Sequence, residues 1–300
     1  MVSVTRTPFV HFQTPSQAIL SVPTTSTVGL TRSAATTVDA SHPVPSRQLF
    51  DAFLVLDVEA TCMPGSDFDY PNEIIEWPVL LLKWKDRDQN GLASTLEVAG
   101  QFRSFVRPTW RPKLSPFCTQ LTGITQAQID TAPTFPLVLS QFSSFLAEHG
   151  LIRPSTGERL VRFCWCTDGP FDIRDFVVKQ CFISKIRMPY WLEGQIVDVR
   201  QTVLTWCDAT QNDSRSQRSP FLRRLSPNIA MQLKLLHLSK FEGREHSGID
   251  DTHNVARIVI ELARRGVRLQ ANTFIRPGRR WNWMGKRGEI LEDYIRQQLS

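Results

Sequence analysis

The stretch AFLVLDVEA, residues 52–60, decides how this chain folds. Five consecutive apolar residues precede the first acid, the pattern of a short strand buried on both faces. Asp57 and Glu59 stand two apart at its end, so on a continuous strand both carboxylates leave the same face. Two acids at a buried strand end repel and desolvate one another, and a bound divalent cation relieves both costs. Plain capping of a strand end is the alternative reading of the same pair. Working outward, EIIEWPVLLLKW (73–84) and LEVAGQFRSFVRP (96–108) read as second and third strands around a turn at DRDQNG (86–91). Short helices follow at 116–121 and 126–130, then a longer one from Phe135 to His149 whose apolar face would carry Leu137, Phe142, Phe145 and Leu146. ERLVRFCWC (158–166) and GQIVDV (194–199) read as strands. PFDIRDFVVKQCF (170–182), SPNIAMQLKLLHL (226–238) and GIDDTHNVARIVIELARRG (248–266) read as helices, the last closed by Gly266. Three strands in hairpin style, then alternating helix and strand, specify an α/β fold: a mixed β-sheet flanked by helices.

Composition agrees. Of 300 residues, 41% are hydrophobic and 21% charged, enough apolar material for a real core and too much for a disordered chain. No run of about 18 apolar residues exists, which excludes a membrane-spanning helix. The cysteines at 62, 118, 164, 166, 181 and 207 show no CxxC spacing, against a disulfide scaffold or a structural zinc site. Residues 1–48, rich in Ser, Thr and Pro with Asp39 as their one acid, read as a disordered leader. The leader's three arginines also fit an organelle transit peptide, so a mitochondrial destination stands beside cytoplasm and nucleus. Residues 49–275 form the domain, and 276–300 a basic, aromatic extension. The net charge is +6, and residues 264–287 hold eight basic residues and no acid. Such an extension points to an anionic partner, nucleic acid being the commonest. In RRWNW (279–283) the arginines suit phosphates and Trp281 and Trp283 suit bases, although the two tryptophans could equally dock the tail onto the domain. GEILEDYIRQQL (288–299) reads as a short amphipathic helix, and the polar segment 208–227 as a surface loop.

Two further segments carry acids at helix starts. In HSGIDDTHNVARI, Gly248 breaks the chain, Asp251 sits in the first turn of the following helix, and His246 lies on the loop entering it. Capping, with Asp250 as the candidate, is the plain alternative. TDGPFDIRDF offers Asp168, Asp172 and Asp175 around another helix start: Asp172 follows Phe171 in the first turn and can point towards the strand ends, while Asp168 or Asp175 could equally be N-terminal helix acids with no chemical role. His237 falls within an apolar helical pattern, and His253 should face away from Asp251.

The order is a DxE pair on a first strand, FD opening a middle helix, then HxxxxD opening a late one. At this point the chain resembles the DEDDh exonucleases, the DnaQ-like branch of the ribonuclease-H-like fold. LDVEATC, PNEIIEWPVLLL, FVRPT, LTGITQAQID, TFPLVLSQF, TDGPFDIRDF and REHSGIDDTHNVARI are similar, in the same order, to segments of one subgroup: the histone-mRNA 3′ exonuclease and its enhancer-of-RNA-interference relatives. The resemblance spans roughly residues 49–274. Thr167-Asp168 stands where most of the wider family has His-Asn, and the subgroup shares that departure. The SAP module that precedes the domain in some relatives has no counterpart in residues 1–48.

The resemblance implies Asp57, Glu59, Asp172 and Asp251 as ligands of two Mg²⁺ ions, or Mn²⁺, with Glu59 also serving the chemistry and His246 as general base. Hard cations prefer oxygen ligands, and paired ions can orient an attacking water and neutralise the leaving 3′-oxygen. Ala60 and Thr61 would touch the terminal nucleotide, and Phe171 would stack on a base or simply fill the core. The implied activity is 3′→5′ exoribonuclease action on RNA 3′ ends, single-stranded or with a short overhang, of small interfering, ribosomal or histone RNA. A DNA-preferring exonuclease and a catalytically silent RNA-binding adapter are the rival readings.

Overall fold

The computed structural model describes residues 42–65, 68–211 and 226–299. Residues 1–41 of the expected leader, and 212–225 of the expected polar loop, lie outside the described residues. Residues 44–48 belong to the fold, ahead of the boundary expected at Leu49. Strand β1 (Ser46–Arg47) pairs with β5 (Leu92–Ala93). Buried Gln48 donates to Val267 O at 3.0 Å and accepts from Leu269 N at 3.0 Å.

The main sheet follows from the apolar runs. Strand β2 (Ala52–Leu56) is buried throughout and lies at its centre. On one side it pairs antiparallel with β4 (Ile74–Trp84), which pairs antiparallel with β6 (Leu96–Phe105). On the other it pairs parallel with β7 (Phe163–Thr167), then β8 (Gln195–Asp198) in parallel and β9 (Thr273–Phe274) antiparallel. The short β3 (Glu59–Ala60) runs beside β4 beyond the end of β2. The side-chain alternation of a strand then divides the core in two. Leu54 and Leu56 join Trp77, Phe142 and Trp165 on one face, while Phe53 and Val55 join Leu80, Cys164 and Val259 on the other.

Helices cover both faces. The capped helices α1 (Pro116–Thr122) and α2 (Gln126–Asp130) precede α3 (Phe135–Glu148). α3 buries Phe135, Val138, Leu139, Phe142, Phe145 and Leu146; Leu137, expected on that face, is exposed, because position 138 takes the inward direction. Residues 172–183 do not form a plain helix: Asp172–Val177 is a π-helix, continued by α4 (Val178–Ile183). π-Turns concentrate at functional sites. The opposite face carries α5 (Val199–Gln211), α6 (Ile229–Leu235) and α7 (Gly248–Arg264). α5 was not anticipated, and it absorbs the first residues of the segment read as a loop from 208.

The C-terminal extension is a strap over the first core, closed by α8 (Glu292–Leu299). Trp281, Trp283, Met284 and Ile295 are buried there, and Trp283 Nε1 donates to Asp69 O at 2.5 Å. Docking is therefore what the tryptophans do. Trp283 is 1% exposed, so Trp283→Ala should cost about 3–5 kcal/mol, the range for a buried large aromatic. Chemical denaturation measures this, and a loss below about 1 kcal/mol would show that the strap is not part of the core.

Candidate active site

The expected continuous strand through the DxE pair is broken. β2 ends at Leu56, and pairing resumes at Glu59 with a register shift between Glu59 and Ala60. The break has a partner: Val58 N donates to Asp172 Oδ1 at 2.9 Å, across 114 residues of sequence. One hydrogen bond thus joins the first acidic segment to the second. The third arrives with α7, whose opening packs against the strand end so tightly that a Cβ on Gly248 would lie 2.8 Å from Asp57 O. Gly248 N also donates to Glu76 Oε2 at 3.2 Å.

Asp57, Glu59, Asp172 and Asp251 consequently face one another at low exposure. Burial pushes the Asp57 carboxyl well above the usual range, and Asp172, Asp251, Glu59 and Asp168 push it further. Glu59 is raised by burial, then by Asp251, Glu76 and Asp172. Asp172 is pushed up to about 7 by burial, against the opposing Val58 N–H. Asp251 reaches about 7 for the same reason, against bonds from the backbone of Ser247 and His246. Among the described residues no three acidic, histidine or cysteine side chains form a preassembled metal cluster. The four carboxylates converge without closing into such a cluster. Their oxygens still make a donor set suited to a hard divalent cation.

The remaining expected residues fall around this cluster. His246 is exposed on the loop before α7, with a left-handed φ of +60°. His237 is exposed, and His253 turns away to meet Gln101 Oε1 at 3.0 Å. Thr61 is tied to Glu73, the residue before β4, its hydroxyl accepting from Glu73 N at 2.9 Å and its amide donating to Glu73 O at 2.8 Å. Phe171 is half-buried and stacks on Phe68, ring centroids 4.8 Å apart at 20°. Phe68 is 46% exposed, so this aromatic pair opens to solvent beside Asp172.

Glu76 and Lys179 escaped the sequence reading, whereas Asp168 and Asp175 were weighed there and prove to be ion-paired. Glu76, 1% exposed, faces Glu59 across the β3–β4 ladder and accepts from Arg103 Nε at 2.7 Å. Two glutamates in an otherwise apolar strand, EIIEWPVLLL, were the signal. Asp168 is no idle helix acid: Arg200 Nη2 donates to its Oδ2 at 2.8 Å and Gln232 Nε2 to its Oδ1 at 2.6 Å. Asp175 is buried between Arg174 and Arg279 of the strap. Buried Lys179 donates to Phe68 O, to Tyr70 O at 2.9 Å and to Asn72 Oδ1 at 3.2 Å, fixing the segment that leads away from the DxE pair.

A mixed sheet with acids from three segments converging at the end of its first strand defines a ribonuclease-H-like nuclease. The chain belongs to the RNase T exonuclease family, whose model matches residues 54–259. Within that family it stands among the 3′–5′ exoribonucleases. It is 33% identical over 248 residues to the 3′-5′ exonuclease eri1 of Schizosaccharomyces pombe, covering 78% of this chain and 75% of that one. It is 31% identical over 229 residues to 3′-5′ exoribonuclease 1 of Mus musculus, covering 76% of this chain but only 58% of the mouse protein. The structure of the nuclease domain of 3′hExo, a DEDDh family member, bound to rAMP superposes with a TM-score of 0.58 at 30% identity, covering 75% and 98% of the two chains. That of a 3′-exonuclease recognising the histone mRNA stem-loop gives 0.61 at 29%, covering 77% and 70%. The DEDDh family is divalent-metal dependent.

The raised carboxyls set a pH dependence. In the folded state Asp172 and Asp251 hold protons up to about pH 7, whereas unfolded aspartate releases them near about pH 4. Their contribution to stability is therefore present at low pH and lost as pH rises through about 7. A divalent cation, which needs the ionised forms, should raise the thermal midpoint more at pH 8 than at pH 5.5. Equal metal-induced shifts at the two pH values would refute this assignment.

Proposed function

We propose that this chain hydrolyses RNA one nucleotide at a time from the 3′ end, releasing nucleoside 5′-monophosphates, with two Mg²⁺ ions, or Mn²⁺, held by Asp57, Glu59, Asp172 and Asp251. The supporting observation is the convergence of four carboxylates from three segments beside a histidine loop, Glu59, Asp172 and Asp251 buried and Asp57 half-buried. Bound divalent ions would supply a polarised water and charge neutralisation at the leaving 3′-oxygen. The protein's own residues do the rest. The imidazole of His246, reachable from solvent and five residues ahead of Asp251, takes the proton from the attacking water. Glu59 serves the chemistry as well as holding metal. Ala60 and Thr61, next along the chain, border the terminal nucleotide. The Phe68–Phe171 pair offers an exposed ring face to a base of a single strand or short overhang.

An RNA preference follows from the relatives' named activity, and small interfering, ribosomal and histone RNA ends are the candidate substrates. Cytoplasm or nucleus is the proposed compartment, and the acid-poor residues 1–48 offer the mitochondrion as the alternative. Incubating matched single-stranded RNA and DNA with Mg²⁺ tests the preference, and faster trimming of DNA would overturn it. Asp57→Ala should abolish cleavage while leaving the protein folded, since it removes one of the repelling acids. Wild-type activity in that variant would end the metal assignment. His246→Ala should slow the single-turnover rate on the order of 10²-fold or more. An unchanged rate would mean that another group accepts the proton.

A further inference from the structure

The loop carrying His246 is not held by its own helix alone. Its neighbour Arg244 reaches across to α1, where Nη2 donates to Gln120 O at 2.8 Å and Leu121 O at 2.9 Å. Those carbonyls belong to the last turn of α1, which lacks intrahelical partners and carries the negative end of the helix dipole, so a guanidinium is the favoured cap. Gly123 ends α1 with φ +72°, and a Cβ there would lie 2.4 Å from Arg244 Nη1. The close approach therefore requires glycine. On its other side the loop is tied to α7: Arg244 N donates to Asp250 Oδ2 at 3.0 Å, and Ser247 N to Arg244 O at 3.3 Å.

The far end of α1 is anchored beside the DxE pair. Cys118 Sγ donates to Ala60 O at 3.8 Å, and Ser115 Oγ donates to Cys62 O at 2.7 Å. α1 thus spans from the residues next to Glu59 to the residues next to His246, and Arg244 closes the circuit. His246 itself adopts a left-handed φ, a conformation a non-glycine residue keeps only where the surroundings enforce it.

We infer that Arg244 is a positioning residue for His246, stapling the histidine loop to the C-terminal carbonyls of α1 and so fixing the imidazole relative to the acidic cluster. This rests on the reading of His246 as general base. Without the staple the loop keeps its tie through Asp250 but loses its lateral restraint, and a displacement of about 1 Å at a catalytic group can cost about 10²-fold in rate.

A double-mutant cycle in the full chain tests it. Arg244→Gln should lower the single-turnover rate with Mg²⁺ by about 10–100-fold, and Arg244→Lys, which can still reach one carbonyl, should recover part of it. In a His246→Gln background, Arg244→Gln should add little further loss, because both changes act through the same imidazole. Affinity for a short single-stranded RNA, measured in an Asp57→Ala background, should be unchanged by Arg244→Gln. Gly123→Ala, which pushes a methyl group against the guanidinium, should reproduce the rate loss without removing Arg244. A normal rate in Arg244→Gln beside a slow His246→Gln would overturn this inference alone. So would a full additional loss in the His246→Gln background, or weakened RNA affinity, which would make Arg244 a general support or a substrate contact. A silent His246→Gln would overturn the base reading and this inference together.

Discussion

The structure is organised around repulsion. Four carboxylates meet at the end of one buried strand, where burial makes ionising each of them costly and Asp172 and Asp251 add their repulsion to Asp57 and Glu59. Such a cluster persists only if the scaffold holds it against its own field. Hydrogen bonds to the charged form do part of this, from Val58 to Asp172 and from the Ser247 and His246 backbone to Asp251. Glu76 does another part, taking Arg103 on one oxygen and the opening amide of α7 on the other. Repulsion among these carboxylates is also what would make a divalent cation favourable there, so the instability and the proposed chemistry share one origin.

Rigidity comes from the sheet. Because β2 is covered on both faces, its end cannot retreat from the acids without breaking two cores. The segment beyond it is fixed with equal firmness. Glu73, fully buried, accepts from the backbone amides of Thr109, Trp110 and Arg111, and Lys179 gathers the carbonyls of Phe68 and Tyr70. The C-terminal strap extends the same system, with Trp281 placed over the Lys179 ammonium at 5.2 Å and Arg279 paired with Asp175 three residues after Asp172. A basic tail that might have hung free is instead part of the wall beside the site.

Much of this was legible along the chain, and for a common reason. A strand buried on both faces announces itself by an unbroken apolar run, and a long surface helix by its period, since both patterns depend on neighbours in sequence. Ala52–Leu56 and Ile74–Trp84 lie within the runs read at 52–60 and 73–84, and Phe135–Glu148 within the helix read from its apolar face. The acids of the candidate site were visible through their order and their flanking residues. α5 was missed because its sequence, VRQTVLTWCDATQ, is polar overall and its buried stripe, Val199, Val203 and Cys207, is thin and starts within the strand read at 194–199.

What the amino-acid order alone determined is most of the longer elements and the identity of the acidic segments, because a strong local side-chain pattern is enough to choose helix or strand. Only the tertiary structure decided that β2 breaks after Leu56, that residue 172 opens a π-helix, that Glu76 and Asp168 belong to the site, and that the tryptophans of the tail face inward. Each of these depends on a partner tens to hundreds of residues away, such as Asp172 for Val58 or Asp69 for Trp283. No local period encodes such a contact; the topology of the sheet brings the partners together, and close packing then selects which backbone geometry survives.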